Sequence, residues 1–189
     1  KPYEDGVDAY RREKYERFEK GELTSLDSLD LPDSLKYSTK ILNRTVYGGG
    51  GILPDVFVPI DTSYNSVYFT DLLRRGLFNR AVLEYVDRNR KRLEKKLADR
   101  NDFITNHKLE QELLDGLIAL GEEEAIPFVE EDWNTSFFAI DLRLKAILAR
   151  TLFDTTAFYE VFNPINPVYR RALEVLEDGT YKDSGVGQD

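Results

Sequence analysis

Hydrophobic positions divide this chain into two regimes that meet near residue 62. Before it, apolar runs are short and broken by turn formers. After it, they recur at the three-to-four-residue spacing of amphipathic helices. Ser66–Arg75 and Leu77–Leu97 read as two helices divided at Gly76, the second with apolar positions at 77/78, 81/82, 85/86, 93 and 97. Residues 102–120 continue the pattern through Phe103, Ile104, Leu109, Leu113, Leu114, Leu117 and Ile118, with Gly121 expected at the C′ position. Asn134 is the expected cap of a long helix reaching Leu152, with Phe137, Ile140, Leu144, Ile147, Leu148 and Leu152 on its apolar stripe. Thr156–Phe162 reads as a short helix broken by Asn163-Pro164, and Asn166-Pro167 opens a last helix that ends near Gly179.

The first regime reads differently. Val7, Tyr10, Tyr15 and Phe18 fall at near-helical spacing over 6–20, and Gly21 stops them. Residues 22–35 hold polar turn formers without a period, and 37–47 mixes Thr, Ile, Val and Tyr into an extended segment. Four glycines then follow, Gly48, Gly49, Gly50 and Gly51, leading through Pro54 and Asp55 into Val56-Phe57-Val58-Pro59-Ile60, the best strand candidate. Glycine permits positive φ and close backbone approach at an entropic cost, so four in succession mark a tight turn delivering a strand. Most of the sheet it would enter is not encoded here. The expected fold class is mainly α: a helical module over 63–181 and a flexible tail over 182–189, preceded by a small α/β part over 1–62.

Composition narrows the function. With 41% hydrophobic and 12% aromatic residues the chain can build a core. Its net charge of −9 argues against nucleic acid and against anionic membrane surfaces as partners. No apolar run is long enough to span a bilayer. The chain opens Lys1-Pro2-Tyr3-Glu4 without an initiator Met or a signal peptide, which suggests a fragment or a processed chain. The absence of Cys removes disulfides, thiolate metal sites and thiol catalysis.

Candidate chemistry is sparse. The glycine block lacks the Gly-Lys-Ser/Thr and the following helix of a phosphate loop, so a structural turn is the better reading than an anion cradle. His107, the single histidine, sits near Glu110, but one His among scattered carboxylates is thin support for zinc, and a cap or surface role is favoured. Glu122–Glu124 and Glu130–Asp132 read as solvated faces or first-turn charges rather than a cation site. Trp133, near Phe128, Phe137 and Phe138, reads as a core anchor. Ser34 and Lys36 stand close in sequence, yet nothing around them would desolvate the amine as a Ser–Lys site requires. No catalytic, metal or cofactor residue is assigned.

The run Lys36-Tyr37-Ser38-Thr39, then Asn43-Arg44-Thr45-Val46-Tyr47-Gly48-Gly49-Gly50-Gly51-Ile52-Leu53-Pro54-Asp55-Val56-Phe57-Val58-Pro59, resembles the carboxyl-terminal processing (tail-specific) proteases of the S41 serine peptidase family. It is most similar to the Gram-negative envelope form, where a GGGGI-PD element leads into a late strand of the protease core. Lys1–Val7 resembles the sequence after an earlier strand and loop of that core. The likeness is specific over 1–62 and looser over 63–180. It implies that 1–62 is the end of a peptidase core and that 63–181 is a helical extension for assembly or substrate access. The implied parent hydrolyses peptide bonds near protein C-termini by a Ser/Lys mechanism in the periplasm or cell envelope. In the family, the nucleophilic Ser, the general-base Lys and the PDZ domain all precede the matched motif, so no catalytic residue carries over. The implied partners are the rest of the core, protein or peptide substrates, and further copies of the chain in a homo-oligomer. The alternative reading is a self-sufficient helical interaction module whose glycine loop docks a partner.

Overall fold

The computed structural model describes residues 33–40, 43, 45–48, 54–97 and 99–183, together with Gly6, Ala9, Arg12 and Glu16. The described residues are mainly α-helical with one two-stranded sheet. They fall into two compact units: Thr62–Asn166, and Lys1–Asp61 taken with Pro167–Asp189.

The Thr62–Asn166 unit is built from helices whose ends are written in local chemistry. Helix α1 (Val67–Arg74) starts where the Ser66 hydroxyl accepts the Phe69 N–H at 3.1 Å. Gly76, at φ +71°, turns the chain into α2 (Leu77–Lys96). That helix buries Leu77, Phe78, Ala81, Val82, Tyr85, Val86 and Leu93 along one stripe. Asp99 caps α3 (Arg100–Asn106) by accepting the Asp102 N–H at 3.0 Å.

Helix α4 (Gln111–Glu123) follows, and a turn with Ala125 at φ +59° leads to α5 (Glu130–Leu152). Asp154 caps α6 (Thr155–Phe162), which passes into a 3₁₀ turn at Asn163–Ile165. Helix α5 packs against α1, α2 and α6, while α2 also packs on α4 and α3 on α6. Its buried residues, Ser136, Ala139, Ile140, Leu144, Ala146, Ile147, Leu148 and Ala149, cover a wide arc of its circumference. The small alanines let neighbouring helices close in on more than one side.

In the other unit a 3₁₀ turn at Asp33–Leu35 enters β1 (Lys36–Ser38), which pairs antiparallel with β2 (Thr45–Tyr47) in the register Lys36↔Tyr47, Tyr37↔Val46, Ser38↔Thr45. Asn43 takes φ +50° between them, a conformation asparagine tolerates better than most residues. Helix α7 (Pro167–Asp178) carries proline at its first position, where no intrahelical N–H bond is lost. Gly179, at φ +78°, separates it from the single turn of α8 (Thr180–Asp183).

Several expectations need correction. Val56–Ile60 forms no strand: proline at 54 and 59 deletes donors around it, and no described residue offers a partner ladder. The pattern over 102–120 is two helices, since the chain is extended at His107 and Glu110. Gly121 is a buried residue inside α4, not a terminator. Asn134 lies within α5, which begins at Glu130 after Val129, and Phe137 is exposed. Lys182 and Asp183, expected in the tail, are helical, while 184–189 and most of the helix expected over 6–20 lie outside the described residues.

The two glycines of α4 should respond oppositely to a side chain. A Cβ at Gly121 would stand 3.2 Å from both Leu72 Cδ2 and the Tyr68 hydroxyl, whereas at Gly116 it meets nothing within 4 Å. Gly121→Val is expected to cost about 1–3 kcal/mol by overpacking. Gly116→Ala is expected to gain about 0.5–1 kcal/mol through helix propensity. Urea unfolding of both variants measures these shifts.

Candidate functional site

The glycine turn is where sequence pointed first. The described residue there, Gly48, donates its N–H to Leu35 O at 2.7 Å and closes the β1–β2 hairpin. Its φ is not positive, so close approach is what favours glycine: a Cβ would come within 2.8 Å of Tyr37 Cε2. Gly49, Gly50 and Gly51 lie outside the described residues, and Pro54 and Asp55 are exposed beyond them. Ser34 sits in the 3₁₀ turn and Lys36 opens β1, both exposed, so neither is desolvated toward a nucleophile–base pair.

A second cluster joins α1 to α5. The Ser136 hydroxyl donates to Tyr64 O at 2.7 Å, stands 2.8 Å from the Ser66 hydroxyl and accepts the Ser66 N–H at 3.0 Å. Four residues earlier on α5, Asp132 accepts the Tyr68 N–H at 2.9 Å. Both helix-start N–H groups thus find oxygens from a helix nearly seventy positions away. Two serines are buried here, but their hydrogen bonds run to each other and to backbone, which makes them a fastening rather than a nucleophile with its base.

The third cluster surrounds His107. His107 is the C-cap residue of α3, its backbone N–H donating to Phe103 O at 3.2 Å; its imidazole stacks on Phe103 at 4.8 Å between centroids, and its Nε2 is buried without a hydrogen-bond partner. Burial, reinforced by the nearby Lys145 ammonium, pushes its pKa below the usual histidine value. Lys145 donates to Ile104 O at 2.9 Å and is itself pushed down by burial, while burial pushes Asp141 up. Perturbed groups gather at active sites, but a base must reach its proton, and this Nε2 is sealed. His107 and Glu110 are not on one helix face: one ends α3 and the other precedes α4. Among the described residues no three His, Cys, Asp or Glu side chains come together to hold a metal ion.

The acidic runs divide by position. Glu123 and Glu124, at the C-terminal end of α4, are tied to α2 by Arg80, at 3.1 and 3.5 Å. Glu130, Glu131 and Asp132 occupy the first turn of α5, where the helix dipole favours negative charge. Trp133 is only partly buried. It bridges Phe128 at 5.7 Å and Phe137 at 5.9 Å over the buried Tyr68 ring, in a ladder that opens to solvent. Burial, with Glu122 adding, pushes the Tyr68 phenol up to about 12.

The Ser66–Ser136, Lys145–His107 and Phe128–Trp133–Phe137 groupings join residues distant in sequence or split across a helix start. Local periodicity carries no signal for the first two.

With this geometry in place, comparison with known proteins adds one likeness. Residues 68–154, from the first turn of α1 to the cap of α6, match the model of a protein family of unknown function (DUF8443). No curated protein matches the chain. No solved structure matches it. Among the described residues no helix is long and apolar enough to cross a membrane.

Glu110 gives a pH signature to this region. It receives Lys96 Nζ at 2.8 Å and Arg92 Nη1 at 2.7 Å, tying α2 to the start of α4. The Lys96 contact, with the Arg92 and Tyr85 hydrogen bonds, holds its carboxyl down at about 2. A depressed carboxylate stabilises the fold above its unfolded pKa near 4.3, and that stability is lost as pH falls toward 2. Glu110→Gln is expected to cost about 1 kcal/mol at neutral pH, because solvent screens the half-exposed Arg92 and Lys96. The gap between variant and parent should close between about pH 4.3 and pH 2, as read by thermal unfolding at several pH values.

Proposed function

We propose that this chain is the C-terminal portion of an S41-type carboxyl-terminal processing protease. Its residues 1–62 complete the peptidase core, and its helices supply a module for assembly or substrate access. The observation that carries this reading is the segment from Lys36 to Pro59. A short hairpin closes on Gly48, a glycine run and Pro54-Asp55 follow, and the apolar Val56–Ile60 then finds no ladder partner among the described residues. An apolar run without a partner ladder is what a late strand becomes when its neighbouring strands belong to the rest of a core.

The reading carries its chemistry with it. The parent cleaves peptide bonds near protein C-termini with a serine nucleophile and a lysine base, both contributed from outside this chain. Its natural partners are the remaining core, the protein or peptide substrates of that core and further copies of the chain, in a periplasmic or cell-envelope location. No cofactor is invoked.

The test compares the chain alone with the same chain expressed in continuity with the coding sequence on its N-terminal side. An unstructured C-terminal tail peptide is the substrate. The longer protein is expected to cleave it and to lose that cleavage on replacing one serine or one lysine, both upstream of Lys1. The 189-residue chain alone is expected to leave the peptide intact. Turnover by the short chain, abolished by a point mutation within it, would contradict the proposal, as would an upstream sequence without such a pair.

A further inference from the structure

We propose that the aromatic ladder at the start of α5, with the carboxylates beside it, is a docking surface for a basic, apolar peptide segment of a partner protein. The surface begins with Phe128, Trp133 and Phe137, whose rings follow one another at 5.7 and 5.9 Å. Phe137 is 41% and Phe138 59% exposed, in the first turns of a helix that buries Ile140, Leu144 and Leu148 further along. Large exposed aromatics in a contiguous group mark interaction surfaces more often than isolated apolar residues do.

The charges beside the ladder select the partner. Glu130, Asn134 and Phe138 follow one another at four-residue spacing and so share one line on the helix, with Glu131 alongside. From Leu109 to Leu142 the sequence holds ten carboxylates and no Lys, Arg or His. Glu110, Glu112, Glu123 and Glu124 are answered by arginines and a lysine of α2. No ion pair joins Glu122, Glu130 or Glu131 to any described residue.

A segment with Lys or Arg between apolar side chains satisfies both features at once. Its cations meet these carboxylates and lie over aromatic faces, and its apolar side chains cover Phe137 and Phe138. A second copy of the chain fits poorly, because a self-complementary contact sets Glu130 and Glu131 against their own counterparts. The surface is already formed: the Tyr68 N–H bond to Asp132 and the Ser136 fastening hold the start of α5 in place, so binding spends little on ordering.

Trp133 is the chain's single tryptophan, so its emission reports this surface without labelling. The experiment titrates the full chain with two synthetic peptides of about twelve residues, identical in their Leu and Phe positions. One carries four Lys and the other four Glu, as charge complementarity requires for discrimination. The basic peptide is expected to shift Trp133 emission with a Kd of about 10–100 μM, weakening several-fold as salt rises from about 0.05 to 0.5 M. Phe138→Ala and the double variant Glu130→Gln/Glu131→Gln are each expected to weaken binding by about five- to tenfold while leaving the urea midpoint unchanged. Equal binding of the acidic peptide would overturn the proposal, and so would full binding by both variants or an unchanged Trp133 spectrum with no calorimetric heat. Concentration-dependent self-association that Phe138→Ala abolishes would overturn it in favour of a second copy.

Discussion

Burial of helix α5 is the constraint on which the helical unit depends. Ile140 and Leu144 are fully buried, Leu148 and Ile147 nearly so, and they meet α1, α2 and α6. Fully burying one such side chain is worth about 1.5–3 kcal/mol against leaving it in water, so this helix supplies a large share of what opposes chain entropy. Burying a helix on several sides raises a second requirement: polar groups carried in with it must be satisfied. Ser136 meets it by bonding Tyr64 O and the Ser66 cap, which fixes α5 axially against α1 as well as laterally.

The electrostatics follow from this packing. Perturbed groups in the unit, His107, Lys145, Asp141 and Tyr68, owe their shifts first to burial. Ion pairs do a separate task on the outside. Arg80 and Arg92 on α2 hold the two ends of α4 through Glu123, Glu124 and Glu110. What α5 leaves uncovered is its first two turns, aromatic and acidic together, and those turns are held still by the same contacts that build the core.

Sequence reading found the helices well where periodicity and caps agree. The stripe of α2, the break at Gly76, and the Asn166-Pro167 start and Gly179 end of α7 all stand as expected, because each is decided within one or two turns of chain. It failed where a tertiary partner decides. Gly121 resembled a terminator, but it is glycine because Leu72 and Tyr68 crowd it. Asn134 resembled a cap, while α5 starts four residues earlier behind Val129, without a side-chain cap bond. Val56–Ile60 has strand composition, and composition cannot supply a neighbouring strand. The exposed face of α5 was hidden for a related reason: Trp133 and Phe137 continue the apolar period of a buried stripe, and only the packing shows that Phe137 stays exposed.

The most direct test of α5 as the keystone is the urea unfolding of Leu144→Ala followed by Trp133 emission. The account predicts a loss of about 2–5 kcal/mol with an unchanged denaturant slope, because a fully buried leucine is truncated inside a cooperative core. A midpoint shift corresponding to less than about 0.5 kcal/mol, the range typical of surface substitutions, would contradict it.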